Sequence, residues 1–238
     1  MPASYFSDEN GQYASDAPSP APLRALRRFT RERRRAQETV REAQRPVAEH
    51  CELCGDLLPT EHQHMLALAS HSIVCACNAC SLLMGRDGAA EGKYRLIPQR
   101  YLLLPDFRLS DEQWTGLMIP VNMVYVFHSS ATGQAMAFYP GPAGATEALL
   151  DPQQWETIAG NNPVLQQMEP DVEALLINRL EGAHEYYIVP IDACYQLVGL
   201  LRLSWRGFSG GEEARLTLAR FFADLWAKSR PVKGEPDA

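Results

Sequence analysis

This 238-residue sequence lacks several features of membrane, secreted and nucleotide-binding proteins. No stretch approaches the roughly 20 consecutive apolar residues needed to span a bilayer. Residues 1–8 lack the basic patch and apolar run that begin a secretory signal peptide. No GxGxxG or lysine-containing phosphate loop is present, and no pair of acid and base side chains stands out. These absences predict a cytoplasmic protein without membrane contact, and they favour a non-enzymatic role.

Acidic residues outnumber basic ones, and the basic ones are unevenly placed. The formal net charge is −7, while arginine is concentrated between Arg24 and Arg45. The rest of the chain is therefore more acidic than the total indicates, and an acidic body repels phosphate backbones. Nucleic-acid binding is a weaker alternative, because it would depend on this basic segment alone. The same segment suits an acidic partner protein.

Composition divides the chain into five segments. Residues 1–21 are rich in small and polar residues and predict a disordered tail. Residues 22–46 place apolar residues among arginines and predict a basic helix. Residues 47–92 contain five of the six cysteines and predict a zinc-ribbon-like metal module. Residues 93–228 predict an α+β domain, and residues 229–238 predict a loose tail.

Strand and helix patterns alternate irregularly in the α+β segment. Apolar and β-branched runs predict strands at 94–97, 101–104, 121–127, 134–139, 186–189 and 196–203. Capping residues predict helices after Ser110, Asp151 and Ser209, and apolar spacing predicts another within 171–180. The loop at 139–147 is interpreted as a rigid turn with Thr146 as a helix cap. This mixture indicates a mainly antiparallel sheet with packed helices.

Two cysteine pairs carry the strongest chemical signal. Cys51 and Cys54 lie in a turn that ends at Gly55, and Cys77 and Cys80 repeat their CxxC spacing. Four thiolates in two such pairs meet the tetrahedral preference of zinc, so we predict a structural zinc site on two knuckles. The alternative metal is iron, in a rubredoxin-like site or an iron–sulfur cluster, because both use the same donors.

Three further residues compete for the predicted ion. Cys75 lies two positions before Cys77, on the same side if the chain is extended, and is a candidate replacement ligand. His62 and His64 lie between the two cysteine pairs. They either compete for the same ion or form a second site, although most linker histidines are simply solvated.

The sixth cysteine stands apart from the cluster. Cys194 follows a predicted strand, and no recognised signature joins it to a histidine. A lone thiol can act as a nucleophile, but buried cysteine is common, so we interpret Cys194 as structural. A pairing of neighbouring Asp192 with Arg202 or Arg206 would likewise be an ordinary polar contact.

Five motifs in combination resemble a known family. They span residues 51–55, 62–64, 75–80, 139–150 and 189–195, within a resemblance that covers roughly residues 48–226. The family is an uncharacterised domain-of-unknown-function family whose members are encoded beside genes for high-affinity nickel-iron hydrogenases. The resemblance implies an accessory role in assembly, maturation or electron delivery. The implied partner is a hydrogenase subunit or another maturation factor.

Three functions follow, in decreasing order of support. The first is a non-enzymatic metal-binding accessory protein of a nickel-iron hydrogenase. The second is a redox protein that carries iron or an iron–sulfur cluster on the same cysteines and transfers electrons for a hydrogenase. The third is a nucleic-acid-binding zinc-ribbon protein that uses the basic segment.

Overall fold

The computed structural model describes residues 48–85, 92–207 and 210–232. The predicted tail at 1–21 and the predicted basic helix at 22–46 lie outside these residues. The predicted C-terminal tail is described only as far as residue 232. None of the described helices combines the length and the apolar character that crossing a membrane requires.

A small sheet forms within the cysteine-rich part of the described chain. Its three strands are β1 (Gln63–Ala67), β2 (Ser72–Ala76) and β3 (Tyr94–Leu96). They pair antiparallel in the order β2–β1–β3, and β2 leads into the short helix α1 (Asn78–Met84). Alternate residues of β1 face opposite sides. Met65 therefore packs with the buried cysteines, while Leu66 packs in the core beside the second, larger sheet.

The larger sheet has seven strands within the described residues. They are β4 (Leu102–Leu103), β5 (Met123–Ser129), β6 (Gln134–Gly141), β7 (Gly144–Ala148), β8 (Glu173–Asn178), β9 (Glu185–Pro190) and β10 (Arg230–Pro231). Their order is β10–β4–β9–β8–β5–β6–β7, and each neighbouring pair is antiparallel except β10 with β4. The predicted α+β class with a mainly antiparallel sheet is confirmed. β10 comes from the segment predicted to be a loose tail.

Helices cover both faces of the larger sheet. They are α2 (Asp111–Gly116), α3 (Pro152–Gly160), α4 (Ile191–Ser204) and α5 (Gly211–Lys228), with 3₁₀ turns at Pro163–Gln167 and Leu180–Gly182. The predicted capping box of α2 is present, because the side chains of Ser110 and Gln113 each accept from the other's backbone N–H. The Asp151 side chain caps α3, also as predicted. α4 and α5 pack on one face of the sheet, and α2 and α3 on the other.

The prediction of a helix within residues 171–180 is wrong. These residues contain β8, which lies between β5 and β9 and is buried at all six positions. A strand that is buried on both faces reads as a continuous apolar run. Leu175 and Leu176 face opposite layers, yet their spacing from other apolar residues imitates a helix.

The prediction of a strand at residues 196–203 is also wrong. These residues lie inside α4, a helix of 14 residues. Its buried positions recur with helical spacing and include Ile191, Cys194, Leu197 and Leu201. Gly199 lowers the intrinsic helix propensity of this stretch. Packing of the buried face against the sheet and α5 outweighs that effect.

Two arginines connect the small sheet to the larger one. Arg95, in β3, donates to the Pro170 carbonyl at 3.0 Å and lies 3.1 Å from the buried carboxylate of Asp171. Arg100 forms a bidentate pair with Glu173, with nitrogen–oxygen distances of 2.6 and 2.7 Å. Glu173 is fully buried, and its hydrogen bonds raise the pKa of Arg100. These contacts fix β3, and through it β1, beside the larger sheet.

Replacement of Arg100 tests this connection. Arg100→Met leaves the buried Glu173 carboxylate without its charged partner, which typically costs about 3–5 kcal/mol of stability. Urea unfolding followed by circular dichroism should show a loss of this size. Arg202→Met, on the exposed surface of α4, is the matched control and should change stability by less than about 0.5 kcal/mol. An equally small change for Arg100→Met would contradict the proposed connection.

Candidate metal centre

The first cysteine pair lies in a tight turn. The Cys51 N–H donates to the Asp56 carbonyl at 2.7 Å, and the Gly55 N–H donates to the Cys51 carbonyl at 2.8 Å. Gly55 has a φ of 82°, in the left-handed region that a residue without a Cβ adopts at no steric cost. The turn presents the Cys51 and Cys54 sulfurs to the same volume, which is the geometry of a metal knuckle.

The second cysteine pair lies at the start of a helix. Cys77 is the N-cap of α1, and its sulfur accepts a hydrogen bond from the Cys80 N–H at 3.5 Å. Cys80 lies in the first turn of α1, three residues further on, so both sulfurs lie on one side of the helix. The structure thus differs from the predicted second knuckle, because residues 78–84 continue as a helix and do not turn back.

Four sulfur atoms converge between the turn and the helix. The donor atoms of Cys51, Cys54, Cys77 and Cys80 all lie within 4.8 Å of one another. The Cys54 and Cys77 sulfurs are 3.6 Å apart. Tetrahedral zinc with Zn–S bonds of about 2.3 Å places its sulfur ligands about 3.8 Å apart. This group could therefore hold a metal ion with little movement.

The four thiols ionise unequally. Burial alone would raise the pKa of Cys51, but backbone N–H groups, first that of Cys77, lower it to about 6. Burial and then the neighbouring sulfurs raise the pKa of Cys80 to about 12. One thiolate thus forms readily at neutral pH, while a further thiolate is opposed by burial and by the existing charge. A cation between the sulfurs removes this opposition, because a metal binds thiolates and displaces their protons.

Cys75 belongs to a different group from Cys77. Cys75 lies opposite His64 in the β1–β2 ladder. Cys75, His62 and His64 offer donor atoms that lie within 4.8 Å of one another. Cys75 packs partly against the cluster that contains Cys51 and Cys80, but its sulfur is not one of the four that converge. Of the two alternatives that the sequence left open, Cys77 lies with the other three sulfurs.

A distant carboxylate holds His64. The His64 Nδ1 lies 2.6 Å from Asp192 Oδ2, and this hydrogen bond raises the pKa of His64. Asp192 lies in the first turn of α4, 128 residues along the chain. No sequence pattern joins two residues so far apart. Asp192 thus contacts His64, and Arg206 lies 3.5 Å from Glu213.

Two other residues that the sequence analysis singled out, Cys194 and Thr146, lie within regular secondary structure. Cys194 is fully buried in α4, and burial raises its pKa well above that of an ordinary thiol, as expected of a structural cysteine. Thr146 is not a helix cap, because it lies inside β7 and pairs with Tyr139 across a hairpin. The loop of this hairpin lines one side of an open, mainly apolar cavity of about 1280 Å³.

Both groups of donor residues fall within a single family match. The model of the Family of unknown function (DUF5947) matches residues 50–229. The chain belongs to this family. The matched range contains all seven candidate ligands and nearly all of the larger sheet. No curated protein and no solved structure matches the chain. The description of the family assigns no activity and names no link to hydrogenase genes.

Alkylation kinetics test the structural assignment of Cys194. Iodoacetamide reacts with the thiolate, so a buried thiol with a raised pKa should stay unmodified in the native protein. Peptide mass spectrometry should find Cys194 labelled only after denaturation. The exposed Cys54 is the comparison, and it should react once bound metal has been chelated. Native labelling of Cys194 at the rate of Cys54 would contradict the assignment.

Proposed function

We propose that this protein binds one zinc ion through Cys51, Cys54, Cys77 and Cys80 and that the ion has a structural role. The observation that carries the proposal is the convergence of four sulfur atoms from a turn and a helix. Four protein ligands complete a tetrahedral shell and leave no open position for a substrate. The proposal therefore assigns no reaction to this ion.

The small size of the module explains why an ion would matter to it. The buried members of its apolar cluster are Cys51, Leu58, Met65, Val74, Ala76 and Cys80. Structural zinc contributes on the order of 10–16 kcal/mol in small zinc-binding peptides, as much as the whole stability of many domains. Removal of zinc should release the turn and α1. The larger sheet has apolar cores on both faces and should remain folded.

Zinc and iron share this set of donors. We favour zinc because an ion that joins a turn to a helix does not need to change its oxidation state. The redox alternative instead requires visible absorbance that bleaches on reduction. The nucleic-acid alternative depends on the basic segment, which lies outside the described residues.

Metal analysis tests the four-thiol site. The protein purified anaerobically should be colourless, and Cys54→Ser should contain one zinc ion fewer per chain than the wild type, because one of four thiolates is lost. Cys194→Ala is the matched control, since it also removes one thiol but lies outside the module. It should keep the wild-type zinc content. Circular dichroism establishes that both variants are folded.

Two results would contradict this assignment. The first is an unchanged zinc content in Cys54→Ser. The second is stoichiometric iron with absorbance that bleaches on reduction, which would support the electron-transfer function instead.

We also propose an accessory, non-enzymatic role in the assembly, maturation or function of a nickel-iron hydrogenase. The five motifs that resemble a hydrogenase-associated family support this role, whereas the description of the matched family names no partner. One structural feature supports contact with a partner protein. α1 exposes Leu82 and Leu83, at 61% and 63%, in the same short helix as the Cys80 ligand. Adjacent exposed leucines on a helix fixed by an ion offer an apolar contact surface.

Affinity capture tests the hydrogenase association. Tagged full-length protein, in cells that express the hydrogenase, should recover a hydrogenase subunit or a maturation factor. Leu82→Ser/Leu83→Ser should reduce recovery about tenfold or more, because the loss of a central apolar contact commonly costs over 1 kcal/mol. Leu149→Ser, at a leucine that is 90% exposed elsewhere, is the control. Repeated recovery of neither protein, with normal hydrogenase activity in a deletion strain, would contradict the association.

A further inference from the structure

We propose that His62, His64 and Cys75 form a second metal site, which takes a divalent transition-metal ion of the zinc type. This site is separate from the four-thiol site and goes beyond the structural role proposed above. The two groups of donors share no residue.

Strand pairing brings the three side chains together. His64 in β1 lies opposite Cys75 in β2. His62 precedes His64 by two residues, and residues at that spacing on an extended chain face the same side. The donor atoms lie within 4.8 Å of one another, and the two imidazole centroids are 5.0 Å apart. Three donors therefore surround one volume.

In each of the two histidines, Nδ1 has a hydrogen-bond acceptor, which determines which ring nitrogen carries the proton. The His62 Nδ1 donates to the Pro59 carbonyl at 3.0 Å, and the His64 Nδ1 donates to Asp192 Oδ2 at 2.6 Å. A carbonyl and a carboxylate only accept, so in each neutral ring Nδ1 carries the proton and Nε2 keeps its lone pair. Metal-binding histidines usually donate their second nitrogen to a carboxylate or a carbonyl in this way. Both rings have the arrangement that metal binding requires.

The buried nitrogen of His62 points independently to a ligand. The His62 side chain is only 6% exposed, and its Nε2 has no hydrogen-bond partner among the residues that the structure describes. Glu49 Oε2 lies 3.6 Å away, beyond hydrogen-bond range. A buried polar atom without a partner is destabilising, because it has lost its hydrogen bonds to water and gained none in the protein. A bound metal ion would satisfy this nitrogen.

The donor set and its exposure define the class of ion. Two imidazoles and a thiolate suit zinc and neighbouring transition metals, whereas magnesium and calcium prefer oxygen ligands. Three protein ligands leave one tetrahedral position for water or for Glu49, whose side chain is 58% exposed. The His64 side chain is 35% exposed, so an ion can enter from solvent. The second site is therefore open at one position, unlike the four-thiol site.

A nucleophilic role for Cys75 explains less of the geometry. Cys75, His64 and Asp192 resemble a nucleophile, a base and an orienting acid. That arrangement leaves the buried nitrogen of His62 without a role. The metal site uses all three side chains.

Cobalt binding to the full-length protein tests the second site. Total metal per chain, zinc plus cobalt, should be measured after incubation with excess Co²⁺ under anaerobic conditions and gel filtration. The wild type should hold one ion more than His62→Ala or Cys75→Ser. Asp192→Ala, which removes the acceptor for His64, should weaken binding of this ion about 10–100-fold. His128→Ala, at an exposed histidine of β5, is the matched control and should bind as the wild type does.

Circular dichroism first establishes that each variant is folded. Asp192→Ala tests the site independently, because Asp192 lies in α4 and is not itself a ligand. The proposal is overturned if the wild type holds no more metal than His62→Ala and Cys75→Ser, or if affinity is unchanged in Asp192→Ala. Cys54→Ser separates the two sites. It should lose the four-thiol ion and keep the ion bound by Cys75. Unchanged metal in Cys54→Ser, together with a loss in Cys75→Ser, would remove only the four-thiol proposal.

Discussion

The convergence of four sulfur atoms that could bind one ion is the constraint on which the proposed role of the small module depends. Backbone N–H groups lower the pKa of Cys51, whereas burial and then the neighbouring sulfurs raise the pKa of Cys80, so the thiolate of Cys51 forms first and opposes ionisation of Cys80. A cation bound to all four sulfurs would replace this repulsion with four bonds. In the proposed role, those bonds would join the turn that precedes the β1–β2 hairpin to the helix that follows it, and would hold the hairpin at both of its ends.

The two faces of the β1–β2 hairpin make different contacts. One face carries Met65 towards the four sulfurs, while the other carries Leu66 into the core of the larger sheet. On that second face, His64 also reaches Asp192 at the start of α4. A second ion bound to His64 would therefore be connected to α4 through one hydrogen bond, that between His64 and Asp192. The proposed structural ion and the proposed open site are in this way linked through a single pair of strands.

Local rules predicted the features that depend on a few neighbouring residues. The grouping of the two CxxC pairs, the capping box at Ser110 and the strands β5 and β6 are of this kind. Two errors arose where packing decides between helix and strand. β8 is buried on both faces and was predicted as a helix, and residues 196–203 of α4 were predicted as a strand. Cys75 and Cys77 were expected on one side of an extended chain, but the strand ends at Ala76. The bond between His64 and Asp192 has no local signal at all.

X-ray absorption at the zinc edge tests the central claim most directly. The measurement is best made on the Cys75→Ser variant, in which the four-thiol ion is expected to be the one that remains. The account predicts a first shell of four sulfur atoms at about 2.3 Å from zinc. A shell dominated by nitrogen or oxygen, or a folded protein that retains no zinc, would contradict it.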